Sequence, residues 1–243
     1  LVFQSLVNEL ALDESISTRL YPERNLGLLR RFKPLKSFPL YERFGFLFLV
    51  FLVAVAFGSM FLMLLGPFLG LLACLIYWIK PIGRKPLASP YKYVIVSSSY
   101  DGRRLILENE NINPAEVLLF DPKRHPPVSL LEPQDFACIG LNAWKLLFLI
   151  LAQNKFSRLG LLIQAYDSIN ALFLLRILQR SDAQFFTNDH YQRWAFLLSH
   201  GNKVLVMYQH GFIDASISFP FPGGEIKKLV VYDLSFSAVF DKF

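Results

Sequence analysis

The chain reads as an α/β protein: a mainly parallel sheet with helices on both faces, preceded by a hydrophobic membrane hairpin. Two observations predict this. Residues 45–79 run for 35 positions without a charge, "GFLFLVFLVAVAFGSMFLMLLGPFLGLLACLIYWI". From Tyr91 onward, short apolar runs ending in small or polar residues alternate with helical patterns. Apolar strands separated by helices are the mark of a parallel sheet buried on both sides.

The uncharged run comes first. An apolar stretch of about 18 or more residues is long enough to cross a bilayer. This one lies too deep in the chain, and is too long, for a secretory signal peptide. As one helix it would extend about 52 Å, well beyond the roughly 30 Å hydrocarbon layer. Gly66-Pro67 and Gly70 offer a break near its middle. Two legs of about 17 residues would each reach about 26 Å, slightly short of spanning. The segment is therefore expected to be a tight two-helix hairpin or a re-entrant wedge. Arg24, Arg30, Arg31, Lys33, Lys36 and Arg43 precede it, and Lys80, Arg84, Lys85 and Lys92 follow it. With both flanks basic, the positive-inside rule places both ends in the cytoplasm, and Tyr77 and Trp78 stand where an interfacial aromatic anchor belongs.

Composition agrees. Hydrophobic residues make up 53% of the 243, and the mean hydropathy of +0.38 is high for a soluble domain. The net charge of +6 gathers around the membrane segment, where anionic lipid attracts it, so no nucleic-acid polymer is expected as partner. Cys74 inside the apolar run and Cys138 far from it suggest neither a disulfide framework nor a zinc site.

Four parts follow: an N-terminal basic segment over 1–43, the hairpin over 44–80, a Pro-rich basic linker over 81–90, and an α/β domain over 91–243. In the first part Pro22, Pro34 and Pro39 are expected to interrupt structure. The chain starts without Met and stops at "VVYDLSFSAVFDKF", so a segment of a longer protein is expected.

In the α/β domain, "YKYVIVSSS" reads as the first strand and residues 115–121, "AEVLLFD", as the second. Residues 144–180 read as two helices broken around 157–160. "AQFFTND" is a third strand, 191–199 a helix with Asp189 as its cap and Gly201 as its stop, and "KVLVMYQ" a fourth strand. "KKLVVYD", 227–233, is a fifth. The apolar run 146–151 is too short to cross a bilayer and reads as part of a helix packed on the sheet; the alternative is a helix dipping into the membrane surface.

Polar residues gather at the strand ends. The first strand ends in Ser97, Ser98 and Ser99, the third in Thr187, Asn188, Asp189 and His190, the fourth in Gln209, His210 and Gly211. In an open parallel sheet that edge is where ligands bind. His210 is the expected catalytic residue, with Gln209, Gly211, Asn188, Asp189, His190 and Ser98 binding substrate. A Gly after the His lets a backbone approach a ligand. The plainer reading is that such a His bonds a turn carbonyl and that Asp189 and Thr187 only cap a helix. His125 and His200 read as loop residues. No ligand spacing for a metal appears, and there is no Walker loop, GxGxxG or GxSxG, so neither metal nor cofactor is expected.

The stretch "FFTNDHYQRWAFLLSHGNKVLVMYQHGFID" resembles a segment of bacterial surface-polysaccharide glycosyltransferases with a two-domain, Rossmann-like (GT-B) architecture, including polymerases of the CDP-glycerol glycerophosphotransferase type. The resemblance covers roughly a quarter of the chain. It rests on a strand running into Gln209-His210-Gly211, on Asn188, Asp189 and His190, and on the Arg193-Trp194 helix. It implies a Rossmann-like first domain, with His210 in the interdomain cleft as general base or phosphate contact. It also implies a nucleotide-sugar or CDP-polyol donor, a polysaccharide or lipid-linked acceptor, and a location on the cytoplasmic face of the bacterial inner membrane. The alternative is a non-catalytic, membrane-anchored α/β module in a polysaccharide assembly or export complex.

Overall fold

A computed structural model describes residues 1–20, 34–79, 91–97, 99–121, 131–188, 193–201, 205–209 and 220–231. The elements in chain order are α1 (Val2–Leu20), α2 (Pro34–Phe44), α3 (Phe46–Leu64), α4 (Gly66–Ile79), β1 (Tyr93–Val96), α5 (Tyr100–Asn109), β2 (Val117–Phe120), α6 (Pro133–Leu151), α7 (Lys155–Arg180), β3 (Gln184–Thr187), α8 (Arg193–Ser199), β4 (Leu205–Tyr208) and β5 (Lys228–Val230). The fold is α/β, with one five-stranded sheet in the order β2-β1-β3-β4-β5, every pairing parallel. All five strands coincide with the runs read from sequence.

Alternation along the strands sorts the two faces, as a two-residue period requires. Val94, Val96, Phe120, Phe185, Leu205 and Met207 share a core with α1, α6, α7 and α8. Ile95, Val117, Phe186, Val206 and Tyr208 pack with Ile106 of α5 on the other face. Helices therefore flank both faces.

α5 was not anticipated. "YDGRRLILEN" buries only Gly102 and Ile106, too thin a stripe to stand out as periodic. Its ends are nonetheless well marked. Ser99 Oγ accepts from Gly102 N at 3.2 Å as N-cap. Asn111 takes a left-handed φ of 50° just past the helix. The bonds Ile112 N to Leu107 O (3.1 Å) and Asn111 N to Glu108 O (3.3 Å) complete a Schellman closure.

α6 starts at Pro133, eleven residues before the expected helical start, behind a capping box of Glu132 and Asp135. The break between α6 and α7 falls at residues 152–154 rather than 157–160. Pro39 interrupts nothing: it lies inside α2, and Pro34 opens that helix. α1, set in the basic N-terminal part by sequence, packs into the main core through Val2 and Leu6.

The apolar segment is two helices, as expected, divided at Leu65 beside Gly66-Pro67. They form an elbow rather than a tight hairpin. An antiparallel helix pair needs a connection of about 2–5 residues, whereas here one right-handed residue, Leu65, joins them with Leu65 N bonded to Phe61 O at 3.0 Å. Each leg packs on the α/β body instead. In α3, Phe48 and Leu52 pack against Leu159 and Ile163 of α7. α4 lies along α6 at backbone contact, Gly66 over Gly140 and Ala143 and Gly70 over Phe136 and Gly140, so a Cβ at Gly70 or Gly140 would meet backbone. Tyr77 and Phe136 close the far end with ring centroids 5.1 Å apart. Small residues bring apolar helices this close. Two helices, α3 and α6, are long and apolar enough to cross a membrane. The run 146–151 is thus the end of a 19-residue helix that both covers the sheet and presents an apolar outer face.

Candidate functional site

The registers Val96 with Phe120, Val96 with Thr187, and Thr187 with Met207 bring the carboxyl ends of β1, β2, β3 and β4 level. Ser97, Asp121, Asn188 and Gln209 therefore emerge along one edge. From β1 the chain turns outward to β2, and later returns past β1 to β3 on its other side. Connections leaving in opposite directions open a crevice between β1 and β3.

The first turn of α5 stands at that crevice. Ser97 is fully buried; its Oγ accepts from Ser99 N (3.1 Å) and donates to Ser99 O (3.2 Å), folding the chain from strand into helix. Ser99 caps α5, and Asp101 in the first turn suits the positive end of the helix dipole. Asn188 follows β3 and turns to the α5 face, where its amide occupies the space a Cβ on Gly102 would need. It is only 4% exposed. Its Oδ1 is buried with no hydrogen-bond partner among the described residues. An amide oxygen left so costs about 1–3 kcal/mol, a cost a hydroxyl or N–H donor would remove. Next to it Arg103 pairs with Asp121 at 2.9 Å across the end of β2, and Arg103 Nε also lacks a partner among the described residues. A donor-seeking oxygen and an acceptor-seeking guanidinium nitrogen thus flank a helix N-terminus.

Of the site residues expected from sequence, Asn188 and Gln209 are described. Both lie on the predicted edge, on neighbouring strands. Gln209 is buried, with its N–H donating to Val230 O at 2.8 Å. His210, Gly211, Asp189, His190 and Ser98 lie outside the described residues, as does His125. His200 follows α8, its Nδ1 2.9 Å from Phe196 O and its ring against Phe196. That is the loop role expected of it. Sequence reading missed Gly102, Arg103 and Asp121 because it missed α5; Ser99 three residues before Gly102 was the usable cap signal.

Arg193, which contributes to the resemblance, is placed away from the crevice. It is 2% exposed and bonds Glu9 Oε2 (2.6 Å), Gln164 O (3.3 Å) and Ser168 Oγ (3.0 Å). It joins α1, α7 and α8 and has no free face for a ligand. Elsewhere Glu110 accepts from Tyr208 Oη (2.7 Å) and Lys228 Nζ (2.6 Å), linking the end of α5 to β4 and β5. Burial would raise the Glu110 carboxyl, but the bonds from Lys228 and Tyr208 and the lysine charge outweigh it and hold the carboxyl below its usual range. Burial, then the bond to Glu110, raises the Tyr208 phenol. Among the described residues no cluster of three or more His, Cys, Asp or Glu could hold a metal ion.

No family model matches the chain, and no curated protein or solved structure matches it either.

Proposed function

We propose that the chain is a Rossmann-like, membrane-associated transferase unit. It moves a sugar or polyol phosphate from a nucleotide-activated donor to a polysaccharide or lipid-linked acceptor at the cytoplasmic face of a bacterial membrane. The observation that carries this reading is the reversal of strand order between β1 and β3, with the buried Asn188 Oδ1, unpartnered among the described residues, beside the N-terminus of α5. The order 2-1-3-4-5 is one of the common doubly wound orders, and ligands of such sheets sit where the order reverses. A helix N-terminus and Arg103 suit a phosphate, and Asn188 suits a sugar or glycerol hydroxyl. Group transfer from a nucleotide needs a base at the acceptor hydroxyl and charge stabilisation at the departing phosphate. His210, next after Gln209 in the sequence, is assigned the first task. Two helices able to enter a membrane keep the edge near a lipid-borne acceptor.

The test supplies membranes carrying the full-length protein with nucleotide sugars and CDP-polyols, and follows label into lipid-extractable and polymeric products. Transfer is expected, and His210→Ala should lower turnover by about 100-fold or more with unfolding unchanged. Undiminished transfer by a well-folded His210→Ala protein would remove the catalytic role. No incorporation from any donor would favour the non-catalytic module.

A further inference from the structure

We propose that α3, α4 and α6 form a monotopic raft, their outer faces immersed in the acyl chains of one leaflet and none of them crossing the bilayer. The inference rests on the packing of these helices and holds whether or not the protein is a transferase.

The outer surface is apolar on all three. Phe51 and Phe57 of α3, Phe68 and Leu75 of α4, and Trp144 and Phe148 of α6 are exposed. Because α4 lies on α6 at backbone contact, the faces of these two are continuous, and α3 joins α4 through the single residue Leu65. Soluble monomers rarely expose large contiguous apolar patches, and such patches mark interaction or membrane surfaces. The inner surfaces are not free to face lipid. α6 is held to α7 by Asp135, fully buried, with Oδ1 accepting from Arg176 Nε (3.0 Å) and Nη2 (2.8 Å). α7 in turn carries Gln164 and Ser168 against the buried Arg193. Behind these helices stands the sheet, whose strands of three or four residues end in polar groups and whose outer strands β2 and β5 have open edges. A spanning orientation of α6 would carry that layer of ion pairs, open sheet edges and loops into hydrocarbon, which has no means to satisfy them. Immersion of the outer face alone avoids the conflict.

Three further features fit. α4 has 14 residues, about 21 Å, too short for the roughly 30 Å hydrocarbon layer. In the sequence, Arg43 precedes α3 and Lys80, Arg84 and Lys85 follow α4, a basic flanking pattern that anionic headgroups attract. Trp144 and Lys145 stand together on the exposed side of α6, a pair suited to the headgroup boundary, with the lysine stem along the apolar surface and its ammonium in water.

The test leaves Trp144 as the single tryptophan (Trp78→Phe, Trp194→Phe) in the full chain, reconstituted in phosphatidylcholine–phosphatidylglycerol vesicles with lipids brominated at shallow or deep chain positions. Loss of Trp144 emission is expected, larger with shallow bromine. If that variant does not fold, a nitroxide at Phe148→Cys in a Cys74→Ser, Cys138→Ser chain reads the same face, and oxygen should relax it more than a water-soluble nickel chelate. In the same background a cysteine at Leu65 should resist an impermeant maleimide trapped inside the vesicles. Trp144 unquenched at both depths, or a nitroxide shielded from both relaxants as in a contact between two copies, overturns the raft. Labelling of Leu65→Cys from the lumen does so too, by showing a span.

Discussion

Gly102 and Asn188 share one space. A Cβ at position 102 would collide with the Asn188 amide, so the residue before Arg103 has to be glycine while Asn188 keeps its place. Two effects oppose each other in Gly102→Ala. Alanine in a helix is better than glycine by about 0.5–1 kcal/mol. Overpacking a tight contact costs about 1–3 kcal/mol. The clash is with a side chain that is 4% exposed and has no open space to enter, so the second effect wins, and Gly102→Ala should destabilise by about 1–2 kcal/mol. Asn188→Ala removes the obstacle and an unsatisfied oxygen together, so the double variant should be more stable than the sum of the single changes predicts. Urea unfolding of the four proteins checks this; strict additivity would mean that the two residues do not meet.

At the scale of elements, what was legible in sequence was what has a strong period or a strong boundary. All five strands were visible because each is an apolar run ending in turn residues, and the parallel sheet followed from the helices between them. The 35 uncharged residues announced α3 and α4. α5 was not legible, because it buries only a two-residue stripe, Gly102 and Ile106. The membrane-grade length of α6 was hidden because Asp135, Asn142 and Lys145 interrupt its apolar run, and only the fold shows that Asp135 is consumed by Arg176. The elbow also escaped, since a Gly-Pro step marks a break without telling whether the legs meet. The site was half legible: the edge and Asn188 came from strand ends, but the first turn of α5 came from the structure. One element-level tie can be titrated. Glu110 joins α5 to β4 and β5, and its carboxyl is held below the ordinary 4.5. A carboxyl lowered on folding contributes stability above its unfolded value, and that contribution is lost as pH falls through the folded one. Stability should therefore decline below about pH 4.5, with Glu110→Gln showing a shallower decline. Equal slopes for both proteins between about pH 5 and 3 would assign the acid limb to other carboxyls.

For the whole molecule, the question is whether the N-terminal helix belongs to the α/β body. Two contacts say that it does. Asn8 exchanges two bonds with the Phe221 backbone, Nδ2 to O at 3.0 Å and N to Oδ1 at 2.9 Å, across 213 positions of sequence. Glu9 meets the side chain of Arg193 at 2.6 Å and its backbone N–H at 3.3 Å. Arg193 opens α8, so the buried charge pair ties α1 to the helix layer of α7 and α8 on one face of the sheet. Surface ion pairs contribute little, but breaking a buried pair by removing one partner costs about 3–5 kcal/mol, because the survivor keeps its charge without a counter-ion. Glu9→Ala should lose about that much. Replacing both, Glu9→Leu with Arg193→Met, should recover most of the loss, since neither charge then remains to be desolvated. Unfolding of the protein in detergent micelles, followed by helical circular dichroism and tryptophan emission, gives the measurement. Trp194, 4% exposed and 5.8 Å from the Arg193 guanidinium, reports on the body. If α1 is integral, both signals shift together in one transition. A separate early loss of helix, with tryptophan emission unchanged, would show instead that α1 is only laid on the surface and that the α/β body stands without it.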